Sequence, residues 1–150
     1  MRKKVLVAQS GGPTVAINAS LAGVIAGVAQ SGDYEVFGAA NGIKGVLDEN
    51  FINLSEFRED VKNGKESVSE IKISQPDGTF DTWSPKSMID RLAITPSMYL
   101  GSCRYKLPSV EEGAEVYEKI FSILDKNDIG MFFYIGGNDS MDTVNKLSTY

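Results

Sequence analysis

Val5-Leu6-Val7-Ala8-Gln9-Ser10-Gly11-Gly12-Pro13-Thr14 decides the fold class. A short apolar run breaks on two glycines and opens a segment in which Ile17, Leu21, Ile25 and Val28 recur at helical spacing. Ser31-Gly32-Asp33 stops that helix, and Tyr34-Glu35-Val36-Phe37-Gly38-Ala39 reads as a second strand. Strand, glycine loop, helix and strand make one βαβ unit, whose right-handed crossover implies a parallel pair. The expected class is α/β, with an open, doubly wound, mostly parallel sheet of Rossmann-like type.

The pattern returns near the carboxyl end. Ser109 and Glu112 have the spacing of a capping box after Pro108, and Val110, Ala114, Tyr117, Phe121 and Leu124 fall along one face, with Ile120 beside them. Asn127-Asp128-Ile129-Gly130 closes that helix. Met131-Phe132-Phe133-Tyr134-Ile135 is an unbroken apolar run of the kind shown by a strand covered on both faces. Gly136-Gly137-Asn138-Asp139-Ser140 follows, and Met141, Val144 and Leu147 begin another helix. That helix is short and has no C-cap signal at Tyr150, so the chain is expected to be the amino-terminal part of a longer domain.

Residues 53–97 differ in being polar and irregular. Gln75-Pro76-Asp77-Gly78-Thr79 predicts a turn about which Glu70-Ile71-Lys72-Ile73 and Thr79-Phe80-Asp81-Thr82-Trp83 pair as a hairpin. Ser84-Pro85 predicts the start of a short helix through Met88 to Leu92. Burial of Ile71, Ile73, Phe80 and Trp83 would make the segment an inserted subdomain, whereas Lys62-Asn63-Gly64-Lys65 reads as a polar connection.

Composition narrows the chemistry. The 150 residues carry 15 Lys+Arg against 20 Asp+Glu, a formal charge of −5, with no His and a single Cys. Ser-His-Asp and Cys-His catalysis, Cys/His zinc sites and an intrachain disulfide are therefore excluded. The acid surplus argues against nucleic acid as a partner. Met1-Arg2-Lys3-Lys4 precedes an apolar run too short for a signal peptide, and no stretch approaches the roughly 20 apolar residues of a membrane span. The expected location is the cytoplasm, where Cys103 stays a reduced, packed residue.

Both glycine loops suit phosphate. Glycine lets backbone approach an anion, and the free N–H groups of the following helix carry partial positive charge. Ser10-Gly11-Gly12 is neither a P-loop nor a dinucleotide fingerprint, and a plain tight turn is the alternative reading. At Asp139 and Ser140 the alternative is helix capping. Loops at the carboxyl ends of neighbouring parallel strands face one crevice, so the two cradles together suit two linked phosphates. Gly101-Ser102-Cys103-Arg104-Tyr105-Lys106 supplies the cation through Arg104, whose guanidinium suits phosphate. Asn41-Gly42-Ile43-Lys44-Gly45 reads as a turn at the same edge.

Ser10-Gly11-Gly12 with Ile17-Asn18-Ala19, Asn41-Gly42 with Gly45, Gly101-Ser102-Cys103-Arg104 and Ile135-Gly136-Gly137-Asn138-Asp139-Ser140 resemble, in order and placement, the phosphofructokinase family. The resemblance covers residues 3–48 and 99–150. It implies a donor domain in which Gly11, Gly12, Gly137 and Ser140 contact the phosphoryl donor and Arg104 reaches the transferred phosphates. It further implies Mg²⁺ as cofactor, fructose 6-phosphate as acceptor and a homo-oligomer. In ATP users of the family the second loop is usually Gly-Gly-Asp-Gly, with the Asp placing Mg²⁺. Here Asn138 stands at that Asp, leaving it a weaker metal ligand, and Asp139 stands at the last Gly.

In pyrophosphate-dependent members, an Asp at the position of Asp139 fills the space of the ATP α-phosphate. A carboxylate about 4 Å from a phosphate costs roughly 4 kcal/mol per charge pair at an effective dielectric of 20. ATP users also carry an aromatic residue beside the adenine near Asn41-Gly42, where this chain has Ile43. The expected donor is therefore pyrophosphate rather than ATP, with Asp139 and Arg104 as catalytic residues. The family's proton-accepting Asp and most of its sugar-phosphate site belong after residue 150, so the chain is expected to be inactive alone. An ATP-dependent enzyme and a non-catalytic phosphate-binding fragment are the alternatives.

Overall fold

The computed structural model describes residues 4–57, 71–83 and 87–150. It is an α/β structure built on a four-stranded sheet. β1 (Lys4–Gln9) lies between β2 (Glu35–Ala39) and β6 (Ile129–Ile135), parallel to both. β3 (Phe51–Asn53) pairs antiparallel with β2 at the edge, giving the order β3-β2-β1-β6. Strand β3 was not legible in the sequence, because three residues are too few to show a period.

Alternation along β1 builds two cores. Val5 and Val7 face α1 (Ile17–Ser31), meeting Leu21, Ile25 and Val28. Leu6 and Ala8 face the other side, where they meet Ile43, Tyr117 and Ile120. Covering both faces is what a parallel strand requires, and each buried Val, Leu or Ile contributes about 1.5–3 kcal/mol. Helix α1 ends where expected, with Gly32 left-handed at φ 77°.

The middle segment divides. β4 (Ile71–Ser74) and β5 (Phe80–Trp83) form the expected hairpin as a separate antiparallel pair. Its turn closes through Gly78 N–H to the Gln75 carbonyl at 3.0 Å, and Asp77 Oδ1 accepts from Thr79 N at 2.9 Å. Helix α3 (Met88–Ile94) is capped by Ser87, whose hydroxyl accepts from Asp90 N. It packs on α1 and adds Ile89 and Leu92 to the first core. The expectations for Glu70, Lys62-Asn63-Gly64-Lys65 and Ser84-Pro85, and for the burial of Ile71, Ile73, Phe80 and Trp83, lie outside the described residues and side chains.

Two readings are corrected. Ser109 Oγ does accept from Glu112 N at 3.3 Å, but this closes a separate turn, and the helix α4 (Ala114–Lys126) starts only after Gly113. Val110 is therefore off the helix, and the buried face is Tyr117, Ile120 and Ile123, with Ala114 exposed. Strand β6 starts at Ile129, because Asp128 makes the turn at φ 57°. Its side chains Phe132 and Tyr134 pack in the second core, whereas Met131 and Phe133 are exposed. The strand is covered along one face, while on the other only its end is covered, where Ile135 packs in the first core.

Candidate functional site

A buried amide network aims the site loops. Gln9, at the end of β1, is fully buried. Its Nε2 donates to the Ile17 carbonyl and to Asn18 Oδ1, each at 3.1 Å, and its Oε1 accepts from Leu100 N at 2.8 Å. Asn18 Oδ1 also accepts from Tyr99 N, while its Nδ2 donates to the Thr95 carbonyl. The start of α1 and the 95–100 segment are thereby tied to one strand end. Sequence reading quoted Asn18 only within a motif and gave Gln9 no role. A lone amide beside a glycine loop carries no signal until its partners are known.

That anchor brings Ser102, Cys103 and Arg104 over the first glycine loop, where Ser102 Oγ donates to the Gly11 carbonyl at 3.0 Å. Gly11 takes φ 84°, a conformation that favours glycine, beside Gly137 of the second loop. Ser10 N donates to the Ile135 carbonyl at 2.8 Å, joining the two strand ends. Both cradles therefore meet at the carboxyl edge of β1 and β6.

Helix α5 (Asn138–Thr149) starts behind Gly137, which makes no side-chain cap. Asp139 and Ser140 lie inside its first turn, so capping does not account for them. Ser140 is buried against Gly136, and its Oγ has no hydrogen-bond partner among the described residues. Ser140 lines none of the hollows around the two loops, so its hydroxyl packs behind the second cradle and does not face the cleft.

A cleft of about 600 Å³ is lined by Gly11, Gly12, Arg104, Lys106, Asp139 and Asp142, among others. Gly137 lines a neighbouring hollow of about 380 Å³ on the α1 side of the first loop. Asn138 is exposed and lines neither. Across the cleft Lys106 Nζ stands 3.4 Å from Asp139 Oδ1, a pairing sequence reading missed because the two are remote in the chain. Arg104 is exposed and also lines a hollow of about 370 Å³ with Ala40, Asn41 and Lys44.

The expectation for Ile43 is overturned by that hollow. Ile43 is fully buried in the second core, on helix α2 (Gly42–Leu47), so it faces away from any ligand. Ala40, Asn41 and Lys44 form the wall at that turn instead. Asn41 makes the turn with φ 61°, which a short polar side chain tolerates.

Tyr134 braces the floor. Its hydroxyl accepts from Ile43 N at 3.3 Å, and burial pushes its ionisation above the ordinary tyrosine range, a hydrogen bond with Ser10 partly offsetting this. Tyr134→Phe is expected to lower stability by about 0.5–1.5 kcal/mol, the worth of one such bond, in a denaturant titration.

The phosphofructokinase family model matches residues 4–150. The chain belongs to the phosphofructokinase family. It is 41% identical over 143 residues to a pyrophosphate–fructose 6-phosphate 1-phosphotransferase from Xanthomonas campestris pv. campestris, covering 95% of this chain and 28% of that protein. The counterpart from Methylococcus capsulatus is 38% identical over 143 residues, with 94% and 28% covered. The crystal structure of a pyrophosphate-dependent phosphofructokinase from Nitrosospira multiformis superposes with a TM-score of 0.69 at 37% identity, covering 99% of this chain and 30% of that one. The chain thus spans just over a quarter of the length of the phosphofructokinase relatives it matches.

Proposed function

We propose that this chain forms the phosphoryl-donor side of a pyrophosphate-dependent 6-phosphofructokinase. The reaction moves a phosphoryl group from pyrophosphate to the 1-hydroxyl of fructose 6-phosphate, giving fructose 1,6-bisphosphate and phosphate. The observation that carries the reading is Asp139, a carboxylate in the first turn of α5, in the same cleft as Gly11 and Arg104. The names of the similar proteins support the same donor and acceptor.

Phosphoryl transfer depends on positioning and on neutralising charge, not on a protein nucleophile. Gly11, Gly12 and Gly137 would present backbone N–H groups to the donor and Arg104 a planar cation to the group in flight, while Ser140, buried against Gly136, would support the second loop from behind. Asp139 would exclude a third phosphate. Among the described residues there is no cluster of three or more acidic, Cys or His side chains able to hold a metal. Asn138, the residue at the family's metal-placing position, lies outside the cleft, so Mg²⁺ would be held there by Asp139 and chiefly by substrate phosphates and water, a donor set this ion commonly takes. When bound, the ion would neutralise charge on the transferred group.

The resemblance assigns the proton-accepting Asp and the sugar site to segments beyond these residues. We therefore propose that residues 1–150 hold the donor without completing transfer, which the 28% coverage of the relatives supports. The test is Asp139→Gly in the complete natural polypeptide, with both donors assayed. Asp139 is exposed and paired, so screening reduces the bare repulsion. The expected result is a gain in ATP use relative to pyrophosphate of at least about tenfold, or 1.4 kcal/mol. No gain would sink the role given to Asp139.

A further inference from the structure

Lys106 is the cleft cation left without a role. It follows Arg104 by two residues, and its side chain is 76% exposed, as is that of its partner Asp139. The contact bridges two walls of the cleft, the 101–107 loop and the first turn of α5. The loop is held in place from below. Leu107 is buried, and its carbonyl accepts from Lys146 Nζ at 3.0 Å. Lys146 also closes on Asp142 Oδ2 at 2.7 Å, and that hydrogen bond holds its pKa above the ordinary value. Asp142, the other carboxylate lining the cleft, is thereby matched already, which leaves Arg104, Lys106 and Asp139 as the remaining charges of its lining.

An exposed ion pair contributes little to stability, so holding the fold does not explain this one. With Lys106 on Asp139, the positive charge left over among these groups is that of Arg104. That suits a donor with two linked phosphates poorly. We infer that Lys106 is a donor-binding and specificity-determining residue that exchanges partners, sitting on Asp139 in the free protein and on phosphate oxygens of pyrophosphate in the complex. The inference rests on the pyrophosphate reading above.

The exchange has two effects. Lys106 adds a cation to the donor grip, and Asp139 loses its counter-ion when a third phosphate would approach. Repulsion of a longer polyphosphate is then coupled to donor binding instead of being cancelled by the lysine. No covalent bond changes in the exchange. The single long stem of a lysine, with three rotatable donors, suits such a swing better than a fixed guanidinium fork.

The test uses the complete natural polypeptide with Lys106→Met and Lys106→Arg, each alone and combined with Asp139→Asn. Inorganic pyrophosphate is the probe, read as a calorimetric Kd and as KM against kcat. Lys106→Met is expected to weaken pyrophosphate binding at least about tenfold, as loss of a charge-assisted hydrogen bond does. The thermal midpoint stays unchanged, Lys106→Arg recovers part of the affinity, and the loss persists in the Asp139→Asn background. An unchanged Kd overturns the inference, as does a loss that vanishes once Asp139 is neutral, since Lys106 would then only balance that carboxylate. Failure of the underlying reading is distinct: the unsubstituted polypeptide would not bind pyrophosphate, which overturns both.

Discussion

Arg104→Ala is expected to lower phosphoryl transfer by the complete natural polypeptide about 10²–10³-fold, the usual cost of removing one charge-stabilising donor. Its thermal midpoint is expected to stay unchanged, because Arg104 is exposed and has no ion pair among the described residues. Its position gives it this weight. The guanidinium is carried over the first glycine loop by a segment that Gln9 and Asn18 anchor through buried hydrogen bonds and that Ser102 fastens to Gly11. A cation delivered so firmly, yet left exposed, is available to a ligand. Arg104→Lys should recover only part of the loss, since an ammonium cannot grip two phosphate oxygens in a fixed plane. Steady-state kinetics with a parallel melting curve check both halves, and a lowered midpoint would assign Arg104 to the fold.

Gly136→Ala is expected to damage both stability and donor binding. A Cβ there would collide with Ser140 Oγ and stand 2.7 Å from the Ser10 carbonyl oxygen, which is backbone and cannot swing away. Overpacking of this kind costs about 1–3 kcal/mol, and contact with backbone puts the substitution at the upper end. Relief requires the two cradles to separate, so pyrophosphate affinity should fall with stability. Gly23→Ala is the control, because a Cβ at Gly23, on the exposed side of α1 and outside the cleft, meets nothing within 4 Å. Denaturant titration and pyrophosphate calorimetry on the pair check this, and equal behaviour of the two variants would contradict it.

Much of the layout was legible because its signals are local. The helical period of Ile17, Leu21, Ile25 and Val28 and the stop at Gly32 located α1, and Pro76-Asp77-Gly78 located the hairpin turn. What stayed hidden depends on contacts between remote residues. Helix α2 was read as a turn because its six residues show no period before Ile43 and Val46 are seen to enter the core. On α4 the expected face kept Tyr117 but held Phe121 and Leu124 where Ile120 and Ile123 are the buried residues, and Gly113, by delaying the helix start, left Val110 off it. In the site, Arg104, Asp139 and the glycines were found through motifs. Gln9, Lys106 and Lys146 were not, since an amide or a lysine means little until its partner appears across the fold.

The misreading of Ile43 matters for donor choice. With Ile43 buried, its identity says nothing about ATP, and the argument from sequence then falls on Asp139. The central claim is therefore a claim about charge in one cleft. Its most direct test is the kcat/KM of the complete natural polypeptide for fructose 6-phosphate phosphorylation with pyrophosphate and with ATP, at equal Mg²⁺ and ionic strength. The expected result is transfer from pyrophosphate with ATP at least about tenfold poorer, a difference of 1.4 kcal/mol. Equal or preferred use of ATP with Asp139 intact would contradict the account.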